Sequence, residues 1–176
     1  MKPLDPQMLS AVYRVRRLSM DDVGLIYDFC RRNTQYYAYC GKNISRELIV
    51  HDLKAAPPGI PMEQKYYVGF FDGDTLIAVM DLIACYPDDS HAFIGFFMMN
   101  NALQGRGVGS AIIAEALRHL KHLGFHTCRL AIDKGNPQSN HFWRKNGFRI
   151  LREVEIPEGT VLLAERTLRS EKPAPA

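Results

Sequence analysis

The chain has 176 residues, of which 47% are hydrophobic, and a formal net charge of +3. This length and apolar content are typical of one domain with one buried core. The small charge without a run of Lys or Arg argues against a nucleic-acid partner, and the lack of a long apolar segment argues against a membrane span or a secretion signal, so we predict a soluble cytoplasmic protein.

The first part of the chain predicts a strand followed by helices. Residues 13–18 alternate between apolar and polar side chains, as in a strand. Ser19, with two aspartates close behind it, is a typical helix N-cap, and this helix is expected to reach about Arg32. Ser45 starts a second helix, and the loop at 56–61 cannot continue it because it holds three prolines and a glycine.

The middle of the chain predicts a meander of three antiparallel strands. They are expected at residues 65–71, 76–86 and 91–99, with turn residues between them. Apolar residues then recur at helical spacing over 108–123. A strand at 127–133 follows this helix, so the region predicts a right-handed βαβ unit with parallel strands.

The last part of the chain predicts one more helix and two strands. Asn136 and Pro137 form an N-cap and first-turn pair, and Gly147 ends the helix that they start. Closing strands are expected near 149–156 and 160–168. The predicted fold class is therefore α/β (α+β), with a mixed, mostly antiparallel central sheet, a βαβ unit and flanking helices.

The corner between the third strand of the meander and the long helix is rich in glycine. Gly105, Gly107 and Gly109 occupy alternate positions in the stretch QGRGVG, together with Gln104 and Arg106. The first amides of a helix have no internal partner and lie at the positive end of its dipole, so they bind anions. Because glycine has no Cβ to block them, these amides are expected to hold a pyrophosphate.

The residues of this corner leave other interpretations open. A dinucleotide-binding GxGxxG loop, which would predict an oxidoreductase, needs a glycine where Ser110 stands, although Asp133 lies near the spacing at which an acid meets a ribose. A Walker loop needs a lysine that the stretch lacks. A tight turn that only lets helix and strand pack is a further alternative.

Two blocks of sequence resemble one known family. The stretch QGRGVG resembles the QxxGxG/A acyl-CoA loop of the GCN5-related N-acetyltransferases (GNAT), and NPQSNHFWRKNGF, at 136–148, is similar to the NxxAxxFYxKxGF helix of that family. With the order of elements, the resemblance covers residues 13–168. It implies a single N-acetyltransferase domain with the acyl-CoA N-acyltransferase fold, preceded by an N-terminal extension at 1–12 and followed by a flexible tail at 169–176.

The resemblance also implies acetyl-CoA as the cofactor and assigns the residues that bind it. The strand end would pair with the pantetheine arm, the glycine loop would hold the pyrophosphate, and the second block would line the other side. The cofactor residues are then Phe97, Met98, Met99, Gln104, Gly105, Arg106, Gly107, Val108, Gly109, Ser110, Asn136, Ser139, Phe142 and Trp143. The same resemblance implies that a backbone amide near Met99 stabilises the oxyanion of acyl transfer. Ordinary core packing remains the alternative for Phe142 and Trp143.

The chain departs from the family at two positions that matter for proton transfer. Trp143 stands where many members have a tyrosine general acid, and an indole has no phenolic proton to give. Phe93 falls where some members have a glutamate base. A water chain that ends at Asp81, Asp133 or His141 is one way to remove the proton of an alkylammonium group, and the residues leave the general acid and base open.

The acceptor is expected to be a small-molecule or peptide amine. Tyr36, Tyr37 and Tyr39 lie where the family places its substrate-facing helices, so they are candidates to enclose a cation, with aromatic packing as the alternative. Together with Asp81 they are the candidate substrate residues. The acceptor itself, the length of the acyl chain and the oligomeric state, with a homodimer as one option, stay open.

Neither a metal site nor a disulfide framework is predicted. The four cysteines lie far apart without a CxxC pair, so we expect reduced and mostly buried thiols. His119 and His122 fall on the polar face of the long helix, and no Cys or carboxylate completes a tetrahedral set with them. The sequence hypothesis is direct acetyl transfer from acetyl-CoA to an amine; its alternatives are an acyl-CoA sensor without catalysis and, more remotely, a dinucleotide-binding oxidoreductase.

Overall fold

A computed structural model describes residues 3–169 of the chain. Seven strands form one sheet in the order β1-β2-β3-β4-β5-β7-β6. The strands are β1 (Arg14–Arg17), β2 (Lys65–Asp72), β3 (Thr75–Ala84), β4 (His91–Met99), β5 (Thr127–Asp133), β6 (Arg149–Ile156) and β7 (Gly159–Thr167). The α-helices of the described residues are α1 (Val23–Cys30), α2 (Thr34–Cys40), α3 (Arg46–Lys54), α4 (Val108–Leu123) and α5 (Pro137–Lys145). Only β4 and β5 pair in parallel, across α4, so the predicted mixed sheet with one βαβ unit is confirmed.

Local capping signals account for the helix starts that the sequence predicts. The Ser45 hydroxyl accepts the amide of Leu48 at 3.1 Å, and the Asn136 side chain accepts the amide of Ser139 at 3.0 Å. Ser19 also caps, but its partner is Asp21 and the turn that it starts is a 3-10 turn. The predicted helix from Ser19 to about Arg32 is therefore too long at both ends, because the α-helix proper is α1.

The short helix α2 has no start signal in the sequence pattern. Its N-cap is Asn33, whose side chain makes no capping hydrogen bond, and the helix ends at Gly41 with a left-handed φ of 66°. Three helices rather than the predicted two therefore separate β1 from β2. The strand β3 also ends two residues before the predicted boundary, since Cys85 takes a left-handed φ of 59°.

A bulge in β4 determines where the sheet opens. The register between β3 and β4 shifts by one residue at Gly95, which lies between Ile94 and Phe96 and has no partner on β3. The parallel pairing with β5 ends at the same place, with Ile94 opposite Leu130. Beyond this pair the two central strands run on without pairing to each other, which leaves the last residues of β4 free along one edge.

Two core layers cover the two faces of the sheet. Helices α4 and α5 pack on one face with the larger cluster, which includes Met80, Ile113 and Trp143, and α1 to α3 pack on the other with the cluster around Ile26 and Tyr67.

The described part of the predicted N-terminal extension is docked on the domain. Leu4 and Leu9 are buried in the larger cluster, and the Ser10 hydroxyl donates to Glu115 of α4 at 2.7 Å. The domain bounds stay a prediction, and all of the predicted tail except residue 169 lies outside the described residues.

Candidate active site

A cavity of about 530 Å³ lies where β4 and β5 no longer pair. Its walls come from the end of β4, the loop before α4, the first turns of α5 and the start of α2. The predicted residues that line it are Tyr36, Phe97, Met98, Met99, Gln104, Gly105, Gly107, Gly109, Ser110, Asn136, Ser139, Phe142 and Trp143. Arg106 and Val108 belong to the same loop but are not among the lining residues, and neither are the candidate substrate residues Tyr37 and Asp81.

The three glycines of the loop serve two different purposes. Gly105 and Gly107 take left-handed φ values of 75° and 81°, and an added Cβ at either would meet open space. Gly107 is the N-cap of α4 and brings no side chain to cap the first amides, so these amides can bind an anion. Gly109 is buried instead: a Cβ there would lie 3.1 Å from Met99 Cγ and 3.3 Å from Phe142 Cε2. Its absence lets α4 approach β4 and α5 closely.

The side chain of Gln104 ties the loop to the surrounding elements. Its Nε2 donates to Asn33 Oδ1 at 2.9 Å, to Asn101 Oδ1 at 3.2 Å and to the Met99 carbonyl at 3.4 Å. Its Oε1 accepts from Gln138 of α5 at 3.3 Å. Gln104 therefore holds the glycine loop in place in this structure.

The main chain of β4 presents hydrogen-bonding groups to the cavity. The Asn100 amide donates to the Ile77 carbonyl of the preceding strand at 2.8 Å. In an antiparallel ladder alternate residues face the partner strand. Phe97 and Met99 therefore direct their N–H and C=O groups away from β3, toward the gap. This orientation suits the predicted pairing of β4 with an extended ligand arm.

Aromatic rings form the wall of the cavity on the α5 side. Phe97 and Phe142 stack with ring centroids 5.9 Å apart, and Phe142 is half-buried. Trp143 is only 6% exposed and packs edge-on against Phe148 at 5.1 Å. Trp143 thus belongs mainly to the core, whereas Phe142 borders both the core and the gap.

The structure does not bring the three predicted acceptor tyrosines together. Because they lie on a helix, their side chains leave α2 in different directions. Tyr36 lines the cavity and meets Phe96 edge-on at 5.5 Å. Tyr37 is 9% exposed and packs in the core, and Tyr39 lines a second cavity. Burial raises the pKa of Tyr36 and Tyr37, so both stay protonated.

The second cavity, of about 400 Å³, lies between the end of α2 and the turn that joins β6 to β7. Tyr39, Cys40, Asp133 and Glu158 are among its lining residues. Burial raises the pKa of Asp133, while nearby Lys42 lowers it.

A buried ion pair lies on the α1–α3 face of the sheet. Lys65 Nζ is 2.6 Å from Asp81 Oδ2, and the two side chains are 2% and 13% exposed. Burial raises the pKa of Asp81 and outweighs the lowering effect of Lys65. Lys65 could not be predicted from the sequence, because its pairing with Asp81 depends on the β2–β3 register, which sets these two residues diagonally across the strands.

The thiols and histidines form no metal site among residues 3–169. Cys30 and Cys128 are buried, Cys40 and Cys85 are half-buried, and no disulfide joins any of these four residues. His119 is less exposed than predicted, and burial lowers its pKa. None of the helices in the described range has the length and hydropathy to cross a membrane.

A comparison of the sequence with models of known protein families identifies the family of this chain. The model of the acetyltransferase (GNAT) family matches residues 33–148, which include the gap-facing end of β4, the glycine loop and α5. The chain belongs to the GNAT family. Acetyl-CoA is the cofactor of GNAT enzymes, so the cofactor expected from the sequence is confirmed at the level of the family. The oxidoreductase hypothesis has no support from this assignment.

Solved structures share the GNAT fold over most of the chain. An acetyltransferase from Thermus thermophilus has a TM-score of 0.72 at 20% identity, covering 89% of this chain and 97% of its own. The PaiA N-acetyltransferase from Thermoplasma acidophilum, in complex with coenzyme A, has 0.66 at 19%, covering 88% and 98%. The ribosomal-protein-S18-alanine N-acetyltransferase from Escherichia coli has 0.66 at 12%, covering 93% and 99%. No curated protein sequence matches the chain.

Proposed function

We propose that this protein is an acetyl-CoA-dependent N-acetyltransferase that transfers the acetyl group directly to a primary amine. The observation that carries the proposal is that main-chain donors border one cavity at two places. The first amides of α4 have no side-chain cap, and Phe97 and Met99 of β4 direct their amides toward the gap. A ligand with an anionic end and an extended amide-bearing arm matches these two sets of donors.

The residues of the cavity fit such a cofactor. The open space at Gly105 and Gly107 leaves the amides accessible to phosphate oxygens. The half-buried ring of Phe142 gives the arm an apolar wall, and Ser139 lies one turn away on the same face of α5. Arg106 is exposed in the loop and supplies positive charge close to the pyrophosphate.

Bound acetyl-CoA supplies a thioester whose acyl carbon can be attacked by an amine and whose thiolate can leave. The chain contributes a donor for the charge that develops on the thioester oxygen. The predicted donor is an amide near Met99, and the amide of Phe97 faces the gap in the same way. Because a free thiol has a pKa of about 8.5, the thiolate leaves without the tyrosine that Trp143 replaces.

The acceptor is an amine of a small molecule or a peptide. The fold does not determine which one, since one scaffold can carry many acceptor sites. The second cavity, beside Asp133 and Glu158, is the part of the structure where acceptors are expected to differ. A cytoplasmic location and a homodimer are compatible with this function.

A matched pair of glycine variants tests the cofactor loop. Gly107→Val and Gly124→Val replace left-handed glycines, with φ values of 81° and 98°, at the two ends of α4. Both changes strain the backbone by about 1–2 kcal/mol. Only Gly107→Val should abolish the heat of acetyl-CoA binding in calorimetry. Equal binding by both variants would contradict the proposed loop.

Catalysis itself is tested by thiol release from acetyl-CoA with a panel of amines. A second candidate, an acyl-CoA sensor, is favoured by Trp143 and Phe93, which remove two proton-transfer groups found in other members of the family. A sensor binds acetyl-CoA and releases no thiol with any amine, whereas the proposed enzyme releases thiol with at least one.

A further inference from the structure

The carboxylate of Asp81 lies at the point where the central strands part. Asp81 on β3 pairs with Phe96, the first residue past the bulge in β4. The Phe97 amide, the first beyond the bulge to face the gap, is therefore the gap-facing donor nearest to this carboxylate. A thioester oxygen held by that amide would bring the attacking nitrogen close to Asp81.

The missing side chain of Gly95 keeps this carboxylate open. A Cβ on residue 95 would lie 3.3 Å from Asp81 Oδ2 and 3.7 Å from its Cγ. Gly95 is exposed to solvent. The Asp81 side chain is 13% exposed, although its Oδ1 atom is buried. The accessible part of the side chain is thus the part beneath Gly95.

The ion pair with Lys65 does not satisfy the Asp81 carboxylate. Lys65 Nζ binds Oδ2 at 2.6 Å, but the buried Oδ1 has no hydrogen-bond partner among the described residues. A buried acceptor without a partner costs free energy, about 1–3 kcal/mol. The ion pair therefore leaves one oxygen of the carboxylate without a donor from the described part of the chain.

We propose that Asp81 is the residue that accepts the proton of the incoming ammonium group. This inference rests on the proposed acetyltransferase function. It also explains how the chain works with Phe93 in place of a glutamate, since a carboxylate from the neighbouring strand reaches the same side of the gap.

The proton and electron balance of the step is simple. An N–H bond of the R–NH₃⁺ acceptor breaks and an O–H bond forms on Asp81, which leaves an electron pair on nitrogen. That pair forms the new C–N bond to the acyl carbon of acetyl-CoA, and the C–S bond breaks with its electrons on sulfur. The second amine proton passes to the thiolate, and Asp81 later returns its proton to solvent.

The charged and titratable groups around Asp81 favour this role. Lys65 and Tyr67 lie on β2, Asp52 lies on α3, and the adjoining β4 residue, Phe96, carries no charge. Burial raises the pKa of Asp81 most, Lys65 lowers it, and Asp52 raises it further. The net effect is a carboxylate more basic than an exposed one, which suits a proton acceptor.

The other two candidate bases lie on elements other than β3. Asp133 is three residues past Leu130, the last β5 residue that pairs with β4. It lines the second cavity. His141 is exposed on α5, on the cofactor side of the gap.

The test separates a proton acceptor from a structural ion pair. Asp81→Asn alone leaves Lys65 buried without a counter-charge, so it should unfold at a lower temperature. The double variant Lys65→Met with Asp81→Asn removes both charges and should recover thermal stability and the calorimetric affinity for acetyl-CoA. Glu165→Gln is the matched control, because Glu165 is a carboxylate paired with Arg129 at 2.8 Å and lies on β7, which β5 separates from β4.

Activity is then measured as thiol release from acetyl-CoA. The acceptors are 2-phenylethylamine, 1,4-diaminobutane, an alanyl dipeptide and aniline, which is already unprotonated at neutral pH. Both Asp81 variants should lose 10²-fold or more with the alkylamines, in line with about 10²–10⁴-fold for general-base catalysis. The loss should be small with aniline, and the wild-type rise of activity with pH through the Asp81 pKa should disappear.

Each outcome decides one question. A stable, acetyl-CoA-binding double variant that keeps wild-type activity with alkylamines overturns the role of Asp81 and leaves the acetyltransferase in place. A wild-type protein that binds acetyl-CoA but releases no thiol with any amine overturns the proposed function and this role with it. A selective loss with alkylamines, absent in Glu165→Gln, supports the inference.

Discussion

Two glycines in equivalent helical positions should respond in opposite ways to the same substitution. Gly109 and Gly24 are each the second residue of a helix, α4 and α1. A Cβ on Gly109 would meet Met99 Cγ at 3.1 Å and Phe142 Cε2 at 3.3 Å, and both side chains pack on the larger core cluster. A Cβ on Gly24 would meet Arg46 Nη1 at 3.3 Å, the end of a flexible side chain.

The magnitudes follow from these contacts. Alanine is favoured over glycine in a helix by up to about 1 kcal/mol. Overpacking costs about 1–3 kcal/mol where neighbours cannot move. Gly109→Ala should therefore lower the free energy of unfolding by about 1 kcal/mol, since the packing cost exceeds the propensity gain. Gly24→Ala should raise it by about 0.5–1 kcal/mol, because the arginine side chain can move aside.

Urea unfolding at equilibrium measures both free energies, with the slope m as a check that the unfolded state is unchanged. Acetyl-CoA affinity should fall in Gly109→Ala, because Met99 and Phe142 line the cavity, and stay unchanged in Gly24→Ala. If Gly109→Ala were as stable as the native chain, the close approach of α4 to β4 would not be the reason for this glycine.

Two further predictions concern stability away from the gap. Arg16 binds Asp22 at 2.7 Å and lowers the pKa of this carboxyl group, so the pair stabilises the protein above the unfolded-state pKa of about 3.9, and this contribution is lost as the pH falls through the lower folded-state pKa. When urea unfolding is measured from pH 6 to pH 2, the free energy of unfolding should therefore fall less in Asp22→Asn than in the native chain. Leu9 is 0% exposed, so Leu9→Ala should lower the free energy of unfolding by about 2–5 kcal/mol. A similar Tm for the variant and the native chain would show that residues 3–12 do not contribute to the stability of the domain.

The helix ends illustrate what a sequence can predict. Ser45 and the Asn136–Pro137 pair act on amides two or three residues away, so their effect is written into a short stretch of chain. The left-handed glycine at position 124 ends α4 by the same kind of local effect. These elements were predicted correctly because the interactions that form them are local.

The acceptor side shows why other features could not be predicted. Helix α2 has no capping signal at its start, so its packing against the sheet, with Tyr37 in the core, decides that a helix begins there. The three tyrosines of this segment look alike in sequence, yet they have three different environments. Which of them reaches the gap depends on how α2 is turned against β4.

The sequence by itself determined the order of the strands, every described α-helix except α2, the position of the glycine loop and the family, because periodicity, caps and glycine act over a few neighbouring residues. The tertiary structure alone decided that β4 bulges at Gly95, that β4 and β5 part there, and that Lys65 lies beside Asp81. It also decided that Gly109 is packed against Met99 and Phe142, whereas a Cβ at Gly105 or Gly107 would meet open space. These features depend on the register between distant segments, and register is settled only when the strands pair and the core packs.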